Sequence, residues 1–154
     1  MDIEEMGQQQ IIDLVENDFP FLSRMGLRAV ILEPNRVKLS LPLAANGNHL
    51  GSIWAGALFT LAEIPGGVLV YTTFGARDYI PLVREMKIRF LKPALTDVTI
   101  DVSLDSRVSA RLFKTVEEKG KVDFSLEGEI LDRDNQVIAV SHGEYRMMKV
   151  KKGR

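Results

Sequence analysis

The stretch SIWAGALFTLAEIPGGVLVYTTFGA, residues 52–76, decides how the rest of this chain is read. From Ser52 to Ala76 its 25 residues carry one charge, Glu63. A run of that length can cross a bilayer. Three features argue against a membrane span. Glu63 falls near the middle, where a charge is costly. Pro65-Gly66-Gly67 comes directly after it and weakens the helix. The flanks lack Lys/Arg clusters: His49 stands before the run, and Arg77-Asp78 cancel after it. The stretch therefore reads as a helix over residues 53–74, buried on nearly all sides inside a soluble fold. Gly75 suits its C′ position, and the helix would be roughly 30 Å long.

Outward from that helix the pattern changes to alternation. Val37, Leu39, Leu41 and Leu43 alternate with Lys38, Ser40 and Pro42, the mark of a half-buried strand whose end Pro42 places at an edge. Residues 27–32 form a strand before it, and Glu33-Pro34-Asn35-Arg36 has turn chemistry. Residues 81–91 come after the helix, with Met86, Ile88 and Phe90 facing one way and Lys87 and Arg89 the other. Val98, Ile100, Val102 and Leu104 alternate again. Over residues 106–119 the spacing becomes helical, with Ser106 as cap and Gly120 as stop. Val122, Phe124, Leu126 and Ile130 return to strand. Residues 132–136 make a hairpin turn, and residues 137–150 form the last strand.

Ahead of all this, residues 1–24 read as an N-terminal helix over 3–15 and a lead-in, with Phe19-Pro20-Phe21-Leu22 ending the helix. Residues 151–154 are a solvated basic tail. No repeat or linker interrupts the chain, so residues 1–154 read as one domain. Strands adjacent in sequence can pair antiparallel, while a helix apolar all round must be wrapped. One curved antiparallel sheet around one long central helix meets both demands, an α+β arrangement of the hot-dog type.

Composition excludes several functions. Twenty Lys and Arg stand against 21 Asp and Glu, a net charge of −1, so the basic excess of a nucleic-acid binder is missing. With 45% apolar and 27% charged residues the chain is not disordered. There is no cysteine, which rules out disulfides, a thiol nucleophile and thiolate zinc sites. The absence fits the cytoplasm. The opening residues MDIEEMGQQQ are acidic and polar, unlike a secretory signal. His49 and His142 stand apart without metal-ligand spacing, so no metal is expected.

The segment from Asn48 through Gly51, Trp54, Ala55 and Gly56 to Leu61-Ala62-Glu63 resembles the signature of hot-dog thioesterases, especially the phenylacetic-acid-pathway type. That pattern has Asn, Gly three residues on, His-Gly-Gly opening the helix, and Leu-Ala-Asp or Leu-Ala-Glu near its middle. The run from Val83 to Pro93 resembles the family's third strand, and residues 120–123 and 132–139 its closing strands. The likeness covers roughly residues 26–149 and points to an uncharacterised branch of the superfamily. In place of His-Gly-Gly this chain has Trp54-Ala55-Gly56. The His is lost, but the backbone N–H groups are retained.

The resemblance implies hydrolysis of an acyl-CoA or acyl-carrier-protein thioester. Coenzyme A enters as part of the substrate, and no other cofactor is implied. Free N–H groups at the helix start, from Ala55 and Gly56, would polarise the thioester carbonyl. Glu63 would act as general base or nucleophile. Asn48 would orient water or the thioester oxygen. Trp54, Phe59 and Met86 are expected to contact the acyl chain, beside Gly51 of the signature.

Ala55 and Glu63 lie eight residues apart, about 12 Å along a helix. One chain cannot apply both to the same carbonyl. A homodimer with antiparallel helices, or a tetramer of two such dimers, would bring Ala55 of one copy to Glu63 of the other, as in the resembled enzymes. Two other functions compete. One is a non-catalytic acyl- or lipid-binding module, supported by the missing His. The other is a hot-dog dehydratase or hydratase, in which His49 would have to supply the histidine. The bland alternative for Glu63 is a structural carboxylate paired with an arginine such as Arg84.

Overall fold

The computed structural model describes residues 7–151. Helices α1 (Gln8–Asp13) and α2 (Pro20–Met25) flank a π-helical turn, Leu14–Asp18. Strands β1 (Arg28–Glu33) and β2 (Arg36–Leu41) lead to the long helix α3 (Ala55–Phe74). Then come β3 (Tyr79–Phe90), β4 (Val98–Ser103), helix α4 (Ser106–Lys119), β5 (Lys121–Leu131) and β6 (Val137–Lys149). The six strands form one antiparallel sheet in the order β1-β2-β4-β5-β6-β3.

Alternation gives this sheet one apolar face. Val37, Leu39 and Leu41 of β2 are fully buried and stand opposite Val102, Ile100 and Val98 of β4. On β5 Phe124, Leu126 and Ile130 point the same way, and on β6 Ala139, Tyr145 and Met147 do. Strand β2 stops at Leu41, before Pro42. The hairpin turns use Asn35 and Asn135 at positive φ.

The sheet cradles α3 on one side only. Leu58, Leu61, Ala62, Pro65, Leu69 and Val70 are among its buried residues, while Phe59 is 40% exposed and Glu63, Ile64, Gly67 and Tyr71 are half-buried. This corrects the expectation of a helix enclosed on nearly all sides. A single layer of sheet covers about half a helix circumference, and the N-terminal segment covers only part of the rest. Helix α3 is long and apolar enough to cross a membrane, yet half of it packs inside the fold, as a core helix does.

Pro65-Gly66-Gly67 does not break α3; the helix runs through Pro65. Gly66 is where Tyr145 passes beneath. A Cβ built there would lie 2.2 Å from the phenol ring. The neighbouring Gly67 would meet Pro81 at an ordinary 3.5 Å.

The N-terminal segment departs from the expected single helix over 3–15, of which residues 3–6 lie outside the described residues. Phe19-Pro20-Phe21-Leu22 ends the first helical run as expected, at Phe19 in extended conformation after Asp18, and it also opens α2, because Pro20 takes the first helical position, where its missing N–H costs nothing. Gly26, at φ 68°, closes α2. Helix α4 is capped by Asp105, whose side chain accepts from Arg107 N at 2.8 Å, rather than by Ser106. Gly120 ends α4 at φ 77° as expected. Of the expected tail, only Lys151 lies within the described residues.

Candidate functional site

Glu63 stands near the middle of α3 and opens onto an apolar cavity of about 400 Å³. The helix contributes Ile64, Val68 and Tyr71 to the wall, the last two lying one and two turns along from Glu63. Pro81 and Val83 close it from β3, and Tyr145 from β6. The N-terminal segment covers the remaining side with Leu14, Val15, Phe19 and Leu22. Polar groups on this wall are few: Glu63 and two tyrosines.

No side-chain hydrogen bond or ion pair neutralises the Glu63 carboxylate among the described residues. Arg84, the arginine that could have paired with it, reaches Asp123 at 3.2 Å instead. Burial therefore acts alone and holds the Glu63 carboxyl above the usual carboxylate range. The Tyr145 hydroxyl donates to the Glu63 carbonyl oxygen at 2.9 Å, which anchors the wall of the cavity to the helix turn that carries the acid. Burial, and then the negative charge of Glu63, push the Tyr145 phenol upward.

The start of α3 is built to leave donors free. Trp54 N donates to Asn46 O at 2.8 Å and Ile53 N to Ala94 O at 2.9 Å, which pins the entry of the chain. Trp54 O then accepts from Ala57 N and Leu58 N. Trp54 has no side-chain acceptor to cap the helix, so the N–H groups of Ala55 and Gly56 have no acceptor among the described residues. The indole folds over Gly56, where a Cβ would stand 2.4 Å from the ring. A side chain at position 56 would push this exposed ring aside.

Asn48 tightens the loop before this helix. Its Oδ1 accepts from Leu50 N at 2.9 Å and Ser52 N at 3.2 Å, and its Nδ2 donates to Ser52 Oγ at 3.1 Å. Asn48 shares a cleft of about 340 Å³ with Ala55, Phe90 and Pro93. Gly51 turns the loop at φ 79° in open space. His49 lines another cleft with Asn48 and Trp54, away from Glu63. Phe59 is exposed on α3, and Met86 packs over Gly143 beside the Tyr145 ring.

Within one protomer, then, Asn48, Trp54 and Ala55 gather at the helix start, and Glu63 faces a separate cavity. The sequence pattern did not reveal Tyr145, Tyr71 or the N-terminal residues on that cavity. Tyr145 had a signal: it is an aromatic at an inward position of β6, two residues after Gly143. The N-terminal wall had none, since its contacts with α3 span some fifty residues of sequence.

His142 is not an ordinary isolated strand residue. Its Nδ1 contacts Glu127 and its Nε2 lies 2.5 Å from Glu144, which also accepts from Ser125 Oγ. Glu127 first, then Glu144, raise the imidazole above its usual range. No group of three or more potential ligands able to hold a metal occurs among the described residues.

Comparison with known proteins matches this geometry to others. The family model described as a domain of unknown function, DUF4442, matches residues 7–148. The solved structure of PA5026 from Pseudomonas aeruginosa, a protein of unknown function named a probable thioesterase, is 39% identical, with a TM-score of 0.88 over 96% of this chain and 99% of that one. Thioesterase HI1161 of Haemophilus influenzae is 13% identical, with a TM-score of 0.73 over 98% of this chain and 96% of that one. PaaI of E. coli, from the phenylacetic acid degradation operon, is 16% identical, with a TM-score of 0.67 over 93% and 92%. At those identities the last two share the fold alone. Among curated proteins none matches. The chain belongs to the DUF4442 family, within the thioesterase-like hot-dog superfamily.

Proposed function

We propose that this protein is a thioester hydrolase acting on an acyl-CoA or acyl-carrier-protein substrate at a site shared by two copies of the chain. The observation that carries the proposal is the uncompensated Glu63 carboxylate on an apolar cavity. An acyl chain suits the cavity, and Glu63 at its wall takes a proton from water as that water attacks the thioester carbon. The oxyanion so formed is held by the free N–H groups of Ala55 and Gly56 from the second copy. Collapse expels the thiolate, which takes up a proton, and leaves the carboxylate product. A base with a raised pKa works closer to neutral pH.

The second copy is supported by β3. Among the described residues this strand pairs only with β6, so its other edge is open along 12 residues. Ile80, Leu82 and Val83 on it are nearly half exposed. An open edge whose first half is apolar invites pairing, and an antiparallel β3–β3 pairing about a two-fold axis satisfies it. The same axis runs the two α3 helices antiparallel and lets Ala55 of one copy approach Glu63 of the other. The absence of cysteine fits a cytoplasmic protein.

Thiol release from short, medium, long and aromatic acyl-CoAs tests the reading, and the chain has no thiol of its own to raise the background. We expect turnover with one class, and a loss of about 100-fold or more for Glu63→Gln. Equal turnover by Glu63→Gln, or none by the wild type on any thioester, refutes it. Trp54 in place of the family's histidine favours a second reading, a non-catalytic acyl-binding module. Co-purified fatty acid together with inert thioesters is its signature.

A further inference from the structure

A larger cleft, of about 1030 Å³, lies at the C-terminal end of α3 and shares no lining residue with the Glu63 cavity. Its floor is aromatic. Phe74 and Phe113 both meet Tyr79 edge-to-face, at 6.2 Å and 6.4 Å between centroids. Tyr79 is buried, but Phe113 is 48% exposed and presents its ring to the opening.

The rim is basic. Lys119 and Lys121 stand on either side of Gly120, at the turn between α4 and β5, and Lys149 and Lys151 flank Val150 at the end of β6. Two acids line the same cleft, Asp78 and Glu117. Glu117 is already engaged: Lys149 donates to one of its oxygens and Tyr79 to the other, each at 2.5 Å. Lys149 first, then Tyr79, hold its carboxyl below the usual range, so it stays charged and its charge is spent on Lys149. Lys119, Lys121 and Lys151 have no carboxylate partner among the described residues. Lys149 N donates to Gly120 O at 2.9 Å and Val150 N to Asp78 O at 2.8 Å, which ties the lysine-bearing ends into one frame.

A flat ring and several negative charges on one molecule match this surface. The geometry points to a binding site for a purine nucleotide carrying two or more phosphates, its base on Phe113 and its phosphates among Lys119, Lys121 and Lys151. A fatty carboxylate brings a single charge to three unpaired lysines and leaves most of the volume empty. ADP and the nucleotide end of coenzyme A share the required chemistry.

Calorimetric titration of the full chain with ADP, CoA, adenosine and pyrophosphate tests the assignment. ADP and CoA should bind, with affinity falling as salt rises, and adenosine and pyrophosphate should each bind at least tenfold more weakly. Lys121→Glu should weaken ADP about tenfold or more, whereas Lys114→Glu, on α4 outside the cleft, should change it less than about twofold. Phe113→Ala should cost about tenfold, the loss of base stacking. If Phe113→Ala fails to fold, the exposed Lys121 decides the matter. Equal affinity for ADP and CoA assigns the site to free nucleotide. Tighter CoA, with a raised KM and unchanged kcat for acyl-CoA in Lys121→Glu, assigns it to the substrate's head; either result supports the site. No binding of ADP or CoA up to about 1 mM, binding indifferent to both variants, or capture of a fatty carboxylate alone overturns it. Repeating the titration on Glu63→Gln separates this result from any failure of hydrolysis.

Discussion

Two adjacent glycines in α3 should respond to the same substitution with opposite sign. Alanine in place of glycine inside a helix is ordinarily worth about 1 kcal/mol of added stability. At Gly67 that gain should appear, because the new Cβ meets only Pro81 at 3.5 Å. At Gly66 the new Cβ lands 2.2 Å from Cε1 and Cζ of Tyr145. Carbon atoms rest about 3.5–4 Å apart, so the ring or the helix must retreat by more than 1 Å, roughly. Tyr145 has nowhere to go: it is 2% exposed, stacks on Phe124 at 5.4 Å and holds the Glu63 carbonyl oxygen at 2.9 Å. Overpacking of this kind costs about 1–3 kcal/mol, and loss of the hydrogen bond adds about 1 kcal/mol. Net of the helix gain, Gly66→Ala should destabilise by about 1–3 kcal/mol, and Gly67→Ala should stabilise by up to about 1 kcal/mol. Urea unfolding at one protein concentration reads both, and near 2 kcal/mol per M the Gly66 midpoint should fall by about 0.5–1.5 M. Gly66→Ala as stable as the wild type would refute the contact, and with it the wall assigned to the Glu63 cavity.

Glu63→Gln should raise stability at neutral pH. A carboxyl held high in the fold contributes stability that is complete below its unfolded pKa and lost as pH rises through its folded one. The two proteins should therefore converge in acid, and a parallel offset at every pH contradicts the assignment. Gly56→Ala should displace the Trp54 indole, the chain's one tryptophan, and shift its emission with stability changed by less than about 1 kcal/mol. Unaltered fluorescence counts against the folded-over ring. Ile80→Glu with Leu82→Glu should give a monomer by sedimentation and abolish hydrolysis together; an active monomer sinks the shared site.

The architecture was readable because each strand of the sheet has one wet face. Val37, Leu39 and Leu41 declare their side by alternation, and Gly120 and Asn135 mark turns that the backbone uses. Glu63 was readable as a charge in a long apolar run. The features that escaped are set by distant packing. Pro20 looks like a helix terminator, and the first helical run does stop before it; that it also starts a second helix is decided by the neighbours that Leu22 and Met25 find in the core. Gly66 looks like a weakness in α3 until Tyr145, some eighty residues later, is placed beneath it. The His142 cluster needed strand register, since Glu127 sits directly across on β5.

The carboxylates themselves separate structure from chemistry. Asp123 is held low by Arg146, Glu117 by Lys149, and Glu144 by His142. Each has a partner that explains its presence, and each lies on the outer surface. Glu63 is the described carboxylate pushed the other way, by burial and without any partner. Among the described residues it caps no helix, bridges no strands and pairs with no arginine. Glutamine would fill the same space without the cost of burying a charge. A group that destabilises the fold and pairs with no side chain among the described residues is what the proposed hydrolysis requires. On that proposal, the acid-dependent convergence expected of Glu63→Gln and its expected loss of turnover are two tests of one carboxylate.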